Sequence, residues 1–270
     1  MVDTKKMKTF NTTSEAYMQA LRDVLVEPDY ICAPRGQQIR EILNYSFKVL
    51  NPTQDPVETF YFERNGTIAL YTQKEKDLYD SCSTKVEDFA KASKFWNQLA
   101  NPDGTVNSAY GYLIFQDQSE GNAEFEFEEM PCSYMIDDYE VEDSYLLPHI
   151  RTPWEWCVDS LKKDKDTRQA IMRFNKPTHL WMGNKDVVCT LTGTWHIRND
   201  QLHLSMVMRS NDLMRGLVYD ISWFCSLMDK MLDELKETYP TLTKGHYYHT
   251  SQSMHLYERD IPTIMKMLGE

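Results

Sequence analysis

Long apolar runs, linker-like stretches and export signals are all missing from this sequence of 270 residues. No segment approaches the roughly 20 apolar residues that a membrane-spanning helix needs. The basic residues near the N-terminus are not followed by the apolar stretch of a signal peptide, so we expect a cytoplasmic protein without membrane contact. No Pro/Gly/Ser-rich linker divides the chain, which predicts a single domain over residues 1–270.

The signature motifs of several common protein classes are also missing. The six cysteines include no C-x-x-C pair, which favours free thiols over disulfides or structural zinc. His246 and His249 form an H-x-x-H, but no second ligand pair at metal spacing accompanies them, so we expect no metal site. The glycine-rich dinucleotide motif, the P-loop and the serine-hydrolase motif do not occur.

Positive charge is scarce in this sequence. Lys and Arg number 29 against 41 Asp and Glu, which gives a net charge of −12. This balance argues against direct DNA binding, because the phosphate backbone favours clustered Lys and Arg. Eleven of the acidic residues lie within residues 117–143, which contain no Lys or Arg. That composition predicts a solvated surface insertion, and an acidic interaction surface is the alternative interpretation.

The patterns that are present indicate both helices and strands. Apolar residues at helical spacing predict a helix over residues 14–26, with Ser14 as its N-cap. A turn followed by a strand is expected within residues 33–52. Two further helices are expected over residues 86–100 and 152–169.

The clearest β signal is a hairpin. Residues 186–198 and 201–210 flank the two-residue turn Asn199-Asp200, and apolar residues alternate along the second segment. A long amphipathic helix follows, and residues 246–260 predict a late strand that runs into a short helix. The elements together predict an α+β fold with a predominantly antiparallel or mixed sheet and packed helices.

Short motifs along the chain follow one another in a characteristic order. They are AYG (109–111), DTRQ (166–169), Cys189, MRSND (208–212), GLVYD (216–220) and MHLY (254–257). In this order they resemble the thymidylate synthase family, and within it the phage deoxycytidylate hydroxymethylases. The resemblance extends from about residue 14 to about residue 260. It implies a thymidylate synthase-like fold, a homodimer that packs sheet against sheet, and 5,10-methylenetetrahydrofolate as cosubstrate.

The activity that the resemblance implies is the folate-dependent hydroxymethylation of dCMP at C5. In that reaction dCMP, 5,10-methylenetetrahydrofolate and water give 5-hydroxymethyl-dCMP and tetrahydrofolate, for modified-base phage DNA. Leu99 stands where the family typically has a second tryptophan, which favours water over hydride as the terminal nucleophile. C5 methylation, hydroxymethylation of dUMP and hydroxymethylation of CMP remain open. A non-enzymatic binding protein is the alternative from a different class.

Three residues are expected to carry the covalent chemistry. A thiolate that adds to C6 of a pyrimidine makes C5 nucleophilic, and by resemblance Cys189 supplies that thiolate. Glu75 and Tyr110 resemble the family's glutamate and tyrosine of the proton-transfer network. Read alone, Cys189 is a buried strand cysteine and Glu75 a solvated helix acid.

The nucleotide phosphate requires several cationic and hydroxyl donors. Arg209 and Ser210 resemble the family's phosphate-binding pair, and Arg168 resembles an arginine that the neighbouring subunit contributes. Gln169 departs from the second arginine usual at the next position. Arg35 resembles a mobile phosphate-binding arginine, with a solvated surface role as the alternative.

The sugar and the folate have their own candidate residues. His255 and Tyr257 resemble the pair that hydrogen-bonds the sugar 3′-hydroxyl, although a packing pair on a strand is the alternative. Trp96, Asp212 and Gly216 resemble folate-pocket residues: an aromatic wall, an acid that pairs with the pterin, and a close backbone approach.

Asp220 is expected to read the base. Thymidylate synthases place Asn four residues after the glycine, which matches the N3–H and O4 of uracil. An Asp can accept from the N4 amino group of cytosine and, when protonated, donate to N3. Asp220 therefore indicates dCMP, although an acid at the start of a helix is also favourable on its own.

Overall fold

The computed structural model describes residues 7–117 and 151–270. These ranges form one mixed β-sheet with helices packed against it, which confirms the α+β prediction. The strands are β1 Lys8–Phe10, β2 Tyr30–Cys32, β3 Ile39–Val49, β4 Ile171–Arg173, β5 Thr190–Arg198, β6 Gln201–Met208, β7 Asn211–Asp212 and β8 Thr243–Tyr257. The helices are α1 Thr13–Val26, α2 Phe62–Asp80, α3 Val86–Ala92, α4 Tyr110–Phe115, α5 Pro153–Lys163, α6 Val218–Leu235 and α7 Ile261–Leu268.

Strand β8 is the centre of the sheet. The strand order is β1-β3-β8-β6-β5-β4, with β2 paired to β3 and β7 paired to β8. β8 runs antiparallel to β3 and parallel to β6 and β7. The parallel connection from β6 to β8 passes through α6, because parallel neighbours require a crossover. This topology brings the ends of β6 and β7 beside the last residues of β8.

The predicted hairpin and its turn are confirmed, although the first strand begins at Thr190 and not at residue 186, and the second ends at Met208 and not at residue 210. Asn199 and Asp200 both have φ of 53°, as a two-residue turn between twisted strands demands. Side chains alternate along β6, with Leu202 and Leu204 fully buried. The buried face of β6 packs against the helices. This packing fixes the end of the strand, and Arg209 is the next residue.

The predicted helix boundaries were wrong at several ends, for local reasons. Helix α1 is capped by Thr12 and not by Ser14, because Thr12 and Glu15 each bond the other's backbone N–H in a capping box. The helix predicted over residues 86–100 ends at Ala92. Ser93 there adopts an extended conformation and caps a separate 3₁₀ turn. The helix predicted over 152–169 ends at Lys163.

The sheet has one covered face and one open face. Along β8, Tyr247 and His249 are fully buried beneath the helices. The alternate residues of the same strand, His246, Tyr248 and Thr250, are only partly buried and form the centre of the open face. A homodimer that packs sheet against sheet remains a prediction, and the open face is the surface through which it would form.

Candidate active site

The thiol of Cys189 lies immediately before β5 and faces an arginine. Arg209 Nη2 is 3.4 Å from Cys189 Sγ. The same guanidinium donates to the backbone carbonyls of Val187 and Val188, which fixes its direction. Burial raises the pKa of the Cys189 thiol, and the charge of Arg209 lowers it. Arg209 is therefore the group that favours the thiolate.

Asp220 and Asn211 form a buried hydrogen-bonded pair. Asn211 Nδ2 donates to Asp220 Oδ2 over 3.1 Å. Burial raises the pKa of Asp220 to about 7, while the Asn211 bond lowers it and the charge of Asp212 raises it further. A side chain at Gly216 in the π-helical turn Leu213–Leu217 would begin 2.9 Å from Asn211 Nδ2, so it would displace the Asn211 amide from this pair.

Glu75 is a second buried carboxyl group next to Asp220. It projects from α2 with 7% of its surface exposed. Burial and the charge of Asp220 raise the pKa of Glu75 well above its ordinary value, while hydrogen bonds from Tyr71 and Tyr79 lower it. The two carboxyl groups therefore disfavour simultaneous ionisation, and tyrosine hydroxyls surround one of them.

Tyr110 lies near both Asp220 and the Cys189 thiol. It begins α4, and its ring stacks on Tyr79 with 5.1 Å between centroids. Burial raises its pKa well above the ordinary value, and the charges of Asp220 and Cys189 raise it further. The next residue, Gly111, is held so close to α2 that a Cβ would lie 1.7 Å from the Tyr79 carbonyl oxygen. Glycine is therefore required for α4 to bring Tyr110 to this position.

His255 and Tyr257 share the end of β8 next to β7. Asp212 is the register partner of His255 in the parallel β7–β8 pair. The rings of His255 and Tyr257 lie 5.7 Å apart in an edge-to-face arrangement. The Arg259 guanidinium is 4.2 Å from the Tyr257 ring centroid, within cation–π range. The fold thus gathers the predicted sugar pair and a predicted folate residue at one strand edge.

Asp212, the acid predicted to pair with the pterin, is held by local donors through one of its oxygens. One Asp212 oxygen accepts the backbone N–H groups of Met214 and Arg215. The other is 3.6 Å from the Arg215 guanidinium and keeps capacity to accept a further N–H. Trp96 is 9% exposed, and the space that a side chain at Gly216 would fill is taken by Asn211 and Asp220. Asn211 Oδ1 is buried without a hydrogen-bond partner among the described residues, which marks the pocket as polar.

Two predicted phosphate arginines are not gathered with the thiol. Arg35 is exposed in the turn Pro34–Gly36 with φ of 53°. Arg168 and Gln169 are exposed between α5 and β4. Within residues 7–117 and 151–270, neither guanidinium has a hydrogen-bond or ion-pair partner. Ser210 is two residues after the end of β6, next to Arg209, and is partly exposed.

Several side chains next to the candidate site were not predicted from the sequence. Asn211 lies inside the MRSND motif and could have been found there, since it adjoins Asp212. Tyr71 and Tyr79 follow helical spacing from Glu75, but α2 was not predicted because its apolar residues do not keep to one face. Asp186 gave no signal, because its partner lies 78 residues earlier in the chain.

The remaining predictions concern the acidic insertion, metals and membranes. Of residues 117–143, Asp117 alone lies in the described ranges, where it forms an ion pair with Lys176. No group of three or more His, Cys, Asp or Glu in those ranges could hold a metal ion. No described helix is long and apolar enough to cross a membrane. His246 and His249 lie on opposite faces of β8.

Comparisons with known proteins agree with this geometry. The sequence model of the thymidylate synthase family matches residues 78–270. The deoxycytidylate 5-hydroxymethyltransferase of Enterobacteria phage T6 is 27% identical over 242 residues, covering 87% of this chain and 82% of that protein. The deoxyuridylate hydroxymethyltransferase of Bacillus phage SP01 is 28% identical over 261 residues, covering 94% of this chain and 60% of that protein.

Among solved structures, thermostable thymidylate synthase A from Bacillus subtilis superposes with a TM-score of 0.61 at 16% identity. The match covers 95% of this chain and 84% of that chain. Because the coverage is so high, the fold similarity extends into the residues before 78, where the family match begins.

Proposed function

Because the chain belongs to the thymidylate synthase family, we propose that it hydroxymethylates dCMP at C5. 5,10-Methylenetetrahydrofolate supplies the electrophilic one-carbon unit, and water supplies the hydroxyl group. The products are 5-hydroxymethyl-dCMP and tetrahydrofolate. Both phage relatives are named for hydroxymethyl transfer to a pyrimidine deoxynucleotide, which supports this reaction.

The proposal of cytosine as the base rests on the protonation state of Asp220. With a pKa of about 7, the carboxyl group is present in both protonation states near neutral pH. Its protonated form donates to the cytosine N3, and its carbonyl oxygen accepts from the N4 amino group. Asn211 holds one Asp220 oxygen by a 3.1 Å bond, so the carboxyl plane has a fixed orientation.

The covalent steps use the residues gathered around the thiol. Cys189 attacks C6 of the pyrimidine, forming a carbon–sulfur bond and placing the electron pair at C5. C5 then bonds to the methylene carbon carried by the folate and loses its proton, and tetrahydrofolate leaves as an exocyclic methylene group forms at C5. Addition of water completes the hydroxymethyl group, and the thiolate leaves as the 5,6 double bond re-forms. Tyr110 and Glu75 are the hydroxyl and carboxyl groups near this position that move protons.

The nucleotide is held by groups from two directions. Arg209 and Ser210 bind the phosphate beside the thiol, and His255 and Tyr257 bind the sugar hydroxyl at the end of β8. Arg168, exposed and unpaired within the described ranges, completes the phosphate site of a partner subunit across the open face. This arrangement requires a homodimer, and sedimentation of the full chain at micromolar concentration tests it.

A second candidate substrate is dUMP. The relative from Bacillus phage SP01 is named a deoxyuridylate hydroxymethyltransferase and matches this chain over 94% of its length. A protonated Asp220 can also donate to the O4 of uracil and accept from its N3–H, so this carboxyl group fits dUMP as well. The two substrates are therefore separated by direct assay.

Tritium release from C5 tests the reaction. The purified chain is incubated with 5-tritiated dCMP, dUMP or CMP, with and without methylenetetrahydrofolate. We expect folate-dependent release with dCMP at the highest kcat/KM and no accumulation of dihydrofolate. Release from dUMP alone would reassign the substrate, and stoichiometric dihydrofolate would show methylation. No release from any of the three nucleotides would contradict enzymatic function.

A further inference from the structure

A buried carboxylate that the proposed reaction does not use lies three residues before the nucleophile. Asp186 is 4% exposed, and both of its oxygens are occupied by one residue. Ser108 donates its backbone N–H to Asp186 Oδ2 over 2.7 Å and its hydroxyl to Asp186 Oδ1. The contact joins two segments that are 78 residues apart in sequence.

Neighbouring amides strengthen the same junction. Asn107 Nδ2 donates to the Asp186 carbonyl over 2.9 Å and to Asn184 Oδ1 over 3.2 Å. The Asn184 side chain accepts from the Asp186 N–H at 2.8 Å and donates to the His179 carbonyl at 2.6 Å. The segment that leads into Cys189 is thereby tied to residues 107 and 108 at several points.

The junction lies directly before two reacting groups. Ser108 is two residues before Tyr110, and Asp186 is three residues before Cys189. Tyr110 is separately fixed by the close approach of Gly111 to Tyr79. Movement at the Asp186–Ser108 contact would therefore change the separation of the thiol from the tyrosine hydroxyl.

We propose that Asp186 is a positioning residue. Its two hydrogen bonds with Ser108 form a latch, which fixes the distance between the Cys189 thiol and Tyr110. The inference deepens the proposed function and rests on it for the identity of the two reacting groups. Burial is the main cause of the raised pKa of both Cys189 and Tyr110, and the charge of Asp186 adds to both. The carboxylate is thus electrostatically coupled to each group that it positions.

Two substitutions of Asp186 separate the effect of its hydrogen bonds with Ser108 from the effect of its negative charge. Asp186→Asn removes the charge but keeps both links, because its oxygen accepts the Ser108 N–H and its NH₂ donates to the Ser108 hydroxyl. Asp186→Ala removes the charge and both links. We expect kcat of Asp186→Ala to fall by about 10²-fold, because a small misplacement of reacting groups slows the chemical step. KM for the nucleotide should change by less than about threefold, because no nucleotide-binding group is removed. Asp186→Asn should retain kcat within about fivefold.

A matched control lies in the same loop. Asp103 Oδ1 accepts the backbone N–H of Thr105 at 3.0 Å and its hydroxyl at 2.7 Å, the same pair of donors, but at an exposed site. Asp103→Ala removes an equivalent pair of hydrogen bonds without touching the nucleophile segment. Its kcat should stay within about twofold of the wild type, because exposed sites away from the chemistry contribute little.

Alkylation of Cys189, followed by peptide mass spectrometry, gives a readout that needs no turnover. Both Asp186 variants should shift the pH midpoint of alkylation downward, because a nearby negative charge is gone. At high pH, where the thiol is ionised in every variant, Asp186→Ala should differ from the wild type by about threefold or more, and Asp186→Asn by less than twofold. If no variant turns over any nucleotide while this contrast holds, the proposed function fails and the latch stands.

Equal kcat in Asp186→Ala and wild type would overturn the proposal, as would equal losses in Asp186→Ala and Asp186→Asn. Should Asp186→Ala fail to fold, Ser108→Ala removes one link from the other side. A Ser108→Ala kcat and limiting alkylation rate equal to wild type would then overturn the latch, and a loss in both would support it.

Discussion

At the scale of single residues, the site is defined by two carboxyl groups that share one buried environment. Burial raises the pKa of both Glu75 and Asp220, and the charge of Asp220 raises the pKa of Glu75 further. Their protons therefore titrate as a pair. Because burial raises the pKa of Asp220 to about 7, the proton that it donates to cytosine N3 is available near neutral pH.

Replacing Asp220 by Asn should move the substrate preference from dCMP toward dUMP. An Asn presents an amide donor to the uracil O4 and an acceptor to N3–H. We expect the ratio of kcat/KM for the two nucleotides to change by about 10²-fold, within the range of sites that read polar groups. In the wild type, kcat/KM for dCMP should fall as pH rises above about 7, because Asp220 loses the proton that it donates.

The same substitution should abolish that pH dependence, since Asn does not titrate. Parallel kcat/KM measurements from pH 6 to 9 on both nucleotides give both results. An unchanged substrate ratio would leave Asp220 as an acid that only favours the start of α6.

Removing the thiol should stop turnover without preventing nucleotide binding. Cys189→Ala keeps the Arg209 contacts with the Val187 and Val188 carbonyls, so the phosphate site remains. We expect no tritium release, with a Kd for dCMP within about threefold of wild type because no phosphate donor is lost. Cys82→Ser is the control, since this half-exposed thiol lies on the turn after α2. Retained release in Cys189→Ala would exclude the covalent mechanism.

At the scale of elements, the position of the site depends on close contacts between helices. Helix α4 approaches the end of α2 at Gly111, where no side chain can be placed. The sequence motif AYG contains this glycine, and the resemblance predicted the role of Tyr110 beside it. The reason for the glycine became visible only with the Tyr79 carbonyl, because α2 was not predicted at all.

Gly111→Ala should therefore destabilise the fold. The new Cβ would overlap the Tyr79 carbonyl oxygen at 1.7 Å, and backbone cannot move aside as a flexible side chain does. We expect a loss of about 3 kcal/mol in the free energy of unfolding, at the upper end for overpacked sites. Gly66→Ala is the control, because Gly66 lies in α2 with open space around it. That variant should gain up to about 1 kcal/mol from helix propensity, and urea denaturation compares the two.

Local signals decided which elements could be predicted. The hairpin was predictable because Asn199-Asp200 and the alternation in β6 lie within a few residues of each other. The N-cap of α1 was assigned to the wrong residue, although Thr12 and Glu15 have the spacing of a capping box. Residues that meet across long separations, such as Asp186 with Ser108, leave no local pattern.

At the scale of the whole molecule, the covered face of the sheet buries a histidine that cannot ionise without cost. His249 is fully buried, stacks on Phe47 at 5.0 Å and lies 2.8 Å from the Tyr247 hydroxyl through Nδ1. Burial lowers the pKa of His249 to about 3. The unfolded chain takes up this proton near pH 6.5, so it binds protons more readily than the folded protein.

The stability contributed by neutral His249 is therefore complete above pH 6.5 and is lost as pH falls toward 3. Below pH 6.5 the free energy of unfolding should drop by about 1.4 kcal/mol per pH unit relative to His249→Asn. Asn retains an acceptor at the position of Nδ1 for the Tyr247 hydroxyl but does not titrate. Parallel pH profiles of urea denaturation measure the difference, and superimposable slopes would refute it.

The long strand β8 also determines when the protein can finish folding during synthesis. Its antiparallel partner β3 is made about 200 residues earlier, with Val49 paired to Tyr247 and Ile39 to Tyr257. At roughly 5–20 residues per second on the ribosome, β3 waits about 10–40 s for this partner. During that interval an open strand edge is accessible to other nascent chains. Slower initiation, which spaces ribosomes along the message, should therefore raise the soluble yield.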